Sequence, residues 1–211
     1  MTRLLVATRN RGKQAEFRTL LAALPSGIVF PADIDLAESA AEAQLEPFDS
    51  FEANAWSKAR WFAVRSHLAT LADDSGLEVD ALGGAPGVES KRFAGLDGAD
   101  ERVTEANNAL LLARLADVPD ALRTARYRCV LVLAPAPGEG GGLPEITVAG
   151  VTEGRILRAP RGRNGFGYDP LFFSDDLGRT FGEASPAEKH AFSHRARAVA
   201  ALATALQGRR V

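Results

Sequence analysis

Short apolar runs alternate with helical patterns along the first part of the chain, and this alternation restricts the folds open to it. Leu4–Ala7 and Leu68–Ala72 have the length and composition of buried strands, whereas Phe51–His67 carries apolar residues at helical spacing. Farther along, strands are predicted at Arg126–Leu133 and Ile146–Val151 with no helical pattern between them. This order predicts an α/β domain with a mixed sheet rather than a purely parallel one.

The remaining segments complete this prediction without adding a second domain. A helix is expected over Asp100–Leu115 and a short strand at Ile28–Phe30. Ser185-Pro186-Ala187-Glu188 has the residues of a capping box with proline at the first helical position, and it predicts a helical region through Leu206. The acidic stretch Asp33–Glu46 is interpreted as a loop or weak helix. With neither repeats nor a linker, residues 1–211 are expected to form a single domain.

Composition and charge exclude several classes of protein. Hydrophobic residues make up 46% of the chain and charged residues 25%, the balance of a soluble globular protein. No apolar run is long enough to span a bilayer and the N-terminus does not resemble a signal peptide, so a cytoplasmic location and no membrane partner are expected. A net charge of −2 argues against nucleic acid as a partner. The single cysteine, Cys129, excludes an internal disulfide, and its apolar surroundings predict a buried, unreactive thiol.

The first candidate site is the polar segment Thr8–Lys13, which follows the first strand. A strand, a turn containing Gly12 and a helix start would offer free backbone N–H groups to an anion, and Lys13 would add a positive charge. The spacing fits neither the P-loop nor the dinucleotide-binding fingerprint. Taken alone, the segment is better explained as an ordinary solvated turn.

The second candidate site is a pair of adjacent carboxylates, Asp73 and Asp74, after the strand that ends at residue 72, and Leu77–Val79 is a candidate continuation of that strand. Mg²⁺ takes one or two carboxylates together with water and substrate phosphates, and one carboxylate could also act as base toward an attacking water. An acidic turn that ends the strand is an equally good explanation. Glu46 is a candidate second ligand, although nothing local distinguishes it from Glu38 or Glu42.

Two further candidate sites lie in the C-terminal part of the chain. Glycines flank Phe166 and Tyr168 in the loop Gly162–Asp169, so the backbone can approach a flat ligand on which an aromatic ring stacks. Lys189 and Ser193-His194-Arg195 place a lysine, a histidine and an arginine within seven positions, which suits a polyphosphate or a keto oxygen. For the loop, the alternative explanation is a tight connection with a core aromatic residue. For the segment from Lys189 to Arg195, it is a solvated helix face.

Together the four sites supply cations, a carboxylate pair and a base-stacking loop, the minimum for nucleotide phosphoryl chemistry. They belong to longer motifs, which run in this order: Leu5-Val6-Ala7-Thr8-x-Asn10-x-x-Lys13, Ala72-Asp73-Asp74-Ser75-Gly76-Leu77-x-Val79-Asp80, Leu82-Gly83-Gly84-Ala85-Pro86-Gly87, Ser90-x-Arg92-Phe93-x-Gly95, Gly165-Phe166-Gly167-Tyr168-Asp169-Pro170 and Glu188-Lys189-x-x-x-Ser193-His194-Arg195. In order and spacing, over nearly the whole chain, these motifs resemble the inosine triphosphate pyrophosphatase family, also called the XTP/dITP diphosphatases.

The resemblance implies an elongated α/β fold with a long mixed β-sheet, helices packed around it, two lobes and a central substrate cleft. It implies a homodimer that uses Mg²⁺ to hydrolyse dITP, ITP, XTP and dXTP to the monophosphate and pyrophosphate, and so keeps these purines out of DNA and RNA. By position, Asp74 is implied as the proton acceptor, and Asp74 with Glu46 as the metal ligands. The implied substrate-binding positions are Thr8, Arg9, Asn10, Arg11, Gly12, Lys13, Ser75, Phe166, Gly167, Tyr168, Asp169, Lys189, His194 and Arg195.

Within this resemblance Lys13 and Lys189 are expected to clamp phosphate oxygens, while Phe166–Asp169, His194 and Arg195 read the purine. Hypoxanthine and xanthine carry a 6-keto acceptor where adenine carries an amino donor, so a pocket of donors would leave buried groups unpaired with adenine.

The segment before the second helix departs from the family pattern. The family often has glycine at the position of Phe48 and glutamate at the position of Ala53. Glu52 lies one position before that of the family glutamate. Its side chain would therefore point to a different side of the helix and would not replace that glutamate.

Two other functions remain open at this point. One is a Maf-type nucleotide pyrophosphatase, although Thr8–Lys13 lacks the serine- and arginine-rich phosphate loop usual there. The other is a nucleotide-binding sensor without turnover, against which the carboxylate pair and Lys13 argue. An NAD-dependent oxidoreductase is disfavoured because no G-x-G-x-x-G follows the first strand.

Overall fold

The computed structural model describes residues 3–22, 27–96, 100–138 and 143–208. Within these segments the chain forms five α-helices and seven strands, joined in places by single 3₁₀ turns. The strands are β1 Arg3–Val6, β2 Gly27–Val29, β3 Ala69–Val79, β4 Thr124–Ala134, β5 Ile146–Ile156, β6 Phe172–Ser174 and β7 Arg179–Thr180. The helices are α1 Arg11–Leu20, α2 Phe51–Ser66, α3 Asp100–Arg114, α4 Pro186–Phe192 and α5 His194–Gln207.

The strands form one mixed sheet in the order β2-β1-β3-β4-β5-β6-β7. β1 runs parallel to β2 and to β3, with Leu4 opposite both Ile28 and Ala69. β6 runs antiparallel to β5 and to β7. The predicted α/β class with a mixed sheet is therefore confirmed.

Two elements differ from their predicted bounds. β3 does not end before the carboxylate pair but continues through it to Val79, with Asp73 and Asp74 buried inside the strand. The helical region predicted from Ser185 is two helices, because Ser193 adopts an extended conformation between α4 and α5. This break places His194 and Arg195 in the first turn of α5.

The chain divides into two compact units. Unit 1 consists of residues 1–74, 129–150 and 197–211, and unit 2 consists of residues 75–128 and 151–196. The first boundary falls inside β3, after Asp74.

Each unit has its own hydrophobic core. In unit 1, α1 and α5 pack against β1 and β4 through side chains that include Phe17, Leu131 and Leu202. Cys129 lies in this core and is buried, as predicted. The core of unit 2 gathers α3 against β3, β4 and the C-terminal strands, and its buried side chains include Leu77, Leu111, Leu115, Tyr127, Ile156, Tyr168, Leu171, Phe172 and Phe181.

The buried guanidinium of Arg123 joins the elements of unit 2. It donates hydrogen bonds to the backbone carbonyls of Leu115, Ile156 and Leu157 at 2.6–3.0 Å. These carbonyls lie at the ends of α3 and β5, so one side chain satisfies three acceptors where two elements stop.

Within the described segments, no helix is long and apolar enough to cross a membrane.

Candidate active site

The turn between β1 and α1 is built by its own polar side chains. Asn10 is the N-cap of α1, because its Oδ1 accepts a hydrogen bond from the Lys13 backbone N–H at 2.9 Å. Thr8 supports it by accepting from the Asn10 N–H through Oγ1 at 3.3 Å. The cap fixes the start of the helix, and Lys13 extends from its first turn to pair with Asp73 at 2.8 Å.

Arg9 and Arg11 of the same turn differ in their surroundings. The Arg9 guanidinium pairs with both carboxylate oxygens of Glu42 at 2.7 and 2.8 Å and donates to the Leu36 carbonyl at 3.0 Å. It therefore anchors the segment that leads to Glu46. Arg11 is exposed at the first position of α1. The substrate contacts expected of these residues and of Gly12 stay predictions.

A cluster of three carboxylates and two lysines forms the centre of this site, and we call it the carboxylate cluster. Its members are Lys13, Glu46, Lys58, Asp73 and Asp74, all in unit 1. Besides the Lys13–Asp73 pair, Lys58 forms an ion pair with Glu46. Asp73 and Asp74 are only 2% and 7% exposed, so the site places ionisable groups where water is largely excluded.

The structure distinguishes Glu46 from its two acidic neighbours. Glu42 is committed to Arg9 and accepts from the Ser39 backbone N–H at 3.1 Å. The charge of Glu38 also acts on Arg9. Glu46 alone of the three lies within the carboxylate cluster.

The electrostatics of the cluster set its carboxylates apart. Burial raises the pKa of Asp74 to about 6, an effect that Lys58 and Lys13 oppose and the charge of Glu46 reinforces. Burial acts on Glu46 as well, but Lys58 and Lys13 outweigh it and hold the pKa of Glu46 below its usual value. Of these two carboxylates, Asp74 therefore binds a proton more readily near neutral pH.

The pKa of Lys58 is raised despite its burial, because Glu46, Asp73 and Asp74 all act on its ammonium group. Lys58 thus stays charged and interacts with all three carboxylates of the cluster.

Sequence reasoning missed two members of this site, Lys58 and Asn54. Asn54, 1% exposed, donates through Nδ2 to Asp74 Oδ2 at 3.1 Å. The same amide accepts from the Phe48 N–H at 2.9 Å and donates to the Phe48 carbonyl at 3.1 Å. The sequence feature that could have identified them is the spacing of Asn54 and Lys58, since residues four positions apart lie on one face of α2.

The hydrogen bonds from Asn54 to the backbone of residue 48 also explain why this position accepts phenylalanine in place of the glycine common in the family. Among the described residues other than glycine, positive φ occurs only at Asp35 and His67, so Phe48 has a backbone conformation open to any residue. Its side chain is 47% exposed and is not needed for the hydrogen bonds to Asn54.

The carboxylate cluster fits a magnesium ion that arrives with a polyphosphate. Among the described residues, no three His, Cys, Asp or Glu side chains are grouped so that they could hold a metal ion by themselves. Mg²⁺ needs only one or two carboxylates when phosphate oxygens and water complete its shell. Glu46 and Asp74 offer these ligands, and the charge of Glu46 adds to the effect of burial in raising the pKa of Asp74.

In unit 2, a buried ion pair holds the loop of residues 165–169. Lys189 Nζ lies 2.5 Å from Asp169 Oδ2, and the same oxygen accepts from the Phe166 N–H at 2.8 Å. The Lys189 ammonium also lies 4.7 Å from the centroid of the Phe166 ring. A Cβ atom at Gly165, where φ is +76°, would approach Asp169 Oδ2 to 2.0 Å, so this position requires glycine.

The two aromatic residues of this loop have different surroundings. Tyr168 is 4% exposed, belongs to the core of unit 2, and donates its hydroxyl to the Ser90 carbonyl at 2.8 Å. Phe166 is half-buried. The carbonyl of Gly167, between them, accepts from Asn108 Nδ2 at 3.2 Å. Of the two rings, Phe166 therefore retains the surface on which a base could stack.

The first turn of α5 adds two more predicted residues to unit 2. Arg195, 1% exposed, donates from Nη2 to Ser75 Oγ at 3.0 Å, and its guanidinium lies 6.0 Å from the Phe166 ring centroid. His194, 4% exposed, stacks on the ring of Tyr127. Unit 2 thus brings together predicted site residues from β3, the 165–169 loop, α4 and α5, and we call them the cationic cluster: Ser75, Phe166, Asp169, Lys189, His194 and Arg195.

Comparisons with known proteins agree over nearly the full chain. A family model described as the Ham1 family matches residues 4–205. A dITP/XTP pyrophosphatase of Exiguobacterium sibiricum is 47% identical over 204 residues, which cover 97% of this chain and 96% of the relative. A dITP/XTP pyrophosphatase of Mycolicibacterium paratuberculosis is 48% identical and is matched over 98% of this chain and 97% of its own length.

Solved structures give the same result. A HAM1 protein from Coxiella burnetii superposes with a TM-score of 0.82 at 36% identity, covering 99% of this chain and 100% of that one. A nucleoside-triphosphatase, also named a dITP/XTP pyrophosphatase, from Mycobacterium abscessus has a TM-score of 0.70 at 43% identity, covering 95% and 98% respectively.

Proposed function

The chain belongs to the Ham1 family, and on that premise we propose that it hydrolyses dITP and XTP, with ITP and dXTP, to the monophosphate and pyrophosphate in the presence of Mg²⁺. The observation that carries the proposal is the carboxylate cluster, in which a buried aspartate has its pKa raised to about 6 beside two lysines. Such a group is ionised at neutral pH yet basic enough to accept a proton from water.

In this reaction Asp74 takes a proton from the attacking water, whose oxygen bonds to the α-phosphorus. The bond from that phosphorus to the oxygen bridging the α- and β-phosphates breaks, and pyrophosphate leaves. Lys13 and Lys58 bind phosphate oxygens, so the rate gain comes from positioning and charge rather than from a covalent intermediate. Glu46 and Asp74 would hold the magnesium ion, which when bound neutralises charge that develops on the leaving group.

The cationic cluster selects the base in this proposal. Phe166 offers a ring face for stacking, while His194 and Arg195 present donors to a keto oxygen. Adenine carries an amino donor at the same position and would leave buried donors unpaired, which costs affinity. Lys189 lies in this cluster, where its ammonium pairs with Asp169 and faces the Phe166 ring, and its expected contact with phosphate oxygens stays a prediction.

Two wider properties belong to the proposal as well. Removal of dITP and XTP from the cytoplasmic nucleotide pool would prevent their incorporation into DNA and RNA. A homodimer is expected from the resemblance to the family.

The test is pyrophosphate release from dITP, XTP, dATP and dGTP, each with and without Mg²⁺. The proposal expects metal-dependent release that is largely confined to dITP and XTP. Equal release from all four would remove the base-selection role of the cationic cluster. Tight nucleotide binding without any release would contradict the proposed hydrolysis.

A further inference from the structure

The imidazole of His194 lies flat against an aromatic ring of β4. The ring centroids of Tyr127 and His194 are 4.7 Å apart and their planes differ by 12°. Both residues are buried, at 7% and 4% exposed, and both belong to unit 2. A parallel stack at this distance covers one face of the imidazole.

Tyr127 is itself held by two phenylalanine rings. Phe172 meets it edge to face, with centroids 4.7 Å apart and planes at 61°. Phe181 lies 6.0 Å from it at 16°, and Phe172 and Phe181 are 5.3 Å apart. A ring locked from two directions in a close-packed core cannot turn to follow its neighbour, so Tyr127 sets the plane of His194 rather than the reverse.

The backbone of His194 is fixed from the other side. Ser193 is fully buried and extended, and its Oγ accepts from the Ala196 N–H at 3.2 Å, which starts α5 at His194. With the backbone set by this break and the ring face covered by Tyr127, the nitrogens of the imidazole are confined to one plane.

We propose that Tyr127 is a positioning residue that fixes the plane of the His194 imidazole and thereby contributes to discrimination between keto and amino purines. The part that concerns the purine rests on the function proposed above, whereas the part that concerns the ring plane rests on geometry alone. A hydrogen bond weakens steeply as its donor turns away from the acceptor, so a histidine free to rotate would distinguish the two bases less well.

The experiment compares Tyr127→Phe, which keeps the ring face, with Tyr127→Leu, which removes it. The matched control is Leu115→Ala, which removes packing from the same core at the residue that follows α3. The first readout is the proton NMR spectrum of the three histidines, assigned by substituting each in turn. The second is kcat and KM for dITP and dATP.

The ring current of Tyr127 should shift the His194 ring protons upfield of those of His67 and His190. This shift should persist in Tyr127→Phe and in Leu115→Ala and disappear in Tyr127→Leu. The ratio of kcat/KM for dITP over dATP should fall about tenfold in Tyr127→Leu, the equivalent of one weakened hydrogen bond, mainly through KM for dITP. It should stay within about twofold of wild type in the other two variants.

A different result would contradict each of the two parts of the proposal, the stacked geometry and the role in base discrimination. Absence of the upfield shift in the wild-type protein would refute the stacked geometry, whatever the enzyme hydrolyses. An unchanged dITP/dATP ratio in Tyr127→Leu, with the shift lost, would refute the positioning role while leaving the proposed hydrolysis intact. A wild-type protein that releases no pyrophosphate but has the shift would refute the proposed function and with it the role in base discrimination.

Discussion

The carboxylate cluster of unit 1 and the cationic cluster of unit 2 both bury charged side chains, but their charge balances are opposite. In unit 1, Glu46, Asp73 and Asp74 are matched against only Lys13 and Lys58. Burial and this deficit of positive charge leave Asp74 with a pKa of about 6.

In unit 2, the single carboxylate of Asp169 accompanies Lys189, His194 and Arg195, and the Lys189 pair is tight and buried. A cluster short of positive charge suits the binding of a cation and a carboxylate that acts as general base. A cluster rich in hydrogen-bond donors suits the acceptor atoms of a ligand. The two clusters therefore differ in the chemistry they can perform, and variants in one should change different kinetic quantities from variants in the other.

The largest expected effect is on turnover and belongs to unit 1. Asp74→Asn removes the carboxylate that we propose as the proton acceptor, while the amide keeps the size of the side chain and its contact with Asn54. We expect kcat for dITP to fall by about 10³, within the range for loss of a general base. Pyrophosphate release measures it, with the circular dichroism spectrum as a check on folding. Substantial turnover by this variant would mean that Asp74 is not the base.

The same variant should gain stability in the metal-free protein at high pH. Because the pKa of Asp74 is raised from 3.8 to about 6, the folded protein binds this proton more tightly than the unfolded chain does. The stability that results is complete below about pH 4 and is lost as pH rises through 6, amounting to about 3 kcal/mol. In EDTA at pH 8, Asp74→Asn should therefore exceed wild type in free energy of unfolding by up to this amount.

Denaturant unfolding at pH 8 and at pH 4 measures this difference, which should shrink toward zero at the lower pH. A variant less stable than wild type at pH 8 would show that Asp74 is not strained by burial.

A smaller loss of turnover is expected when the support of Asp74 is removed. Asn54→Ala deletes the amide that links the Phe48 backbone to Asp74, and we expect kcat to fall about 30-fold, since loss of such positioning costs one to two orders of magnitude. Phe48→Gly is the matched control, because at residue 48 the amide of Asn54 bonds to the backbone N–H and carbonyl and not to the side chain. Equal losses in both variants would assign the effect to the loop rather than to the amide.

The smallest expected effect is a change in the preference for dITP over dATP, and it should result from variants in the cationic cluster of unit 2. Arg195→Gln removes a buried donor from beside Phe166, and we expect the preference for dITP over dATP to fall about tenfold, with kcat for dITP little changed. Ser75→Ala, which removes only the hydroxyl bound to Arg195, should have a smaller effect. Steady-state kinetics on both nucleotides measures the ratio. A large loss of kcat with an unchanged ratio would place Arg195 with the chemistry instead.

The sequence predicted most of the sheet because each strand carries its own apolar signal. Leu4–Ala7, Arg126–Leu133 and Ile146–Val151 correspond closely to β1, β4 and the start of β5. The passage of β3 through Asp73 and Asp74 could not be read locally, since buried carboxylates are costly in a strand unless distant residues pair with them. Lys13 and Lys58 provide that pairing, from positions far away in the sequence.

The same limitation explains the site residues that were missed. Lys58 and Tyr127 lie inside regular elements, in α2 and β4, where a lysine or an aromatic residue is ordinary. Their roles arise from which residues the fold brings beside them, Glu46 in one case and His194 in the other. The motifs located Asp74, Ser75 and the 165–169 loop because those segments interrupt apolar sequence with unusual residues.

The division of labour between the two clusters is the central claim, and a single assay of Lys58→Met beside Arg195→Gln tests it most directly. The measurement is kcat/KM for dITP and for dATP in both variants with saturating Mg²⁺. Lys58→Met should lower both values by the same factor and leave their ratio unchanged, whereas Arg195→Gln should lower the ratio. A ratio that changes in Lys58→Met as much as in Arg195→Gln would contradict the account, because the carboxylate cluster would then also read the base.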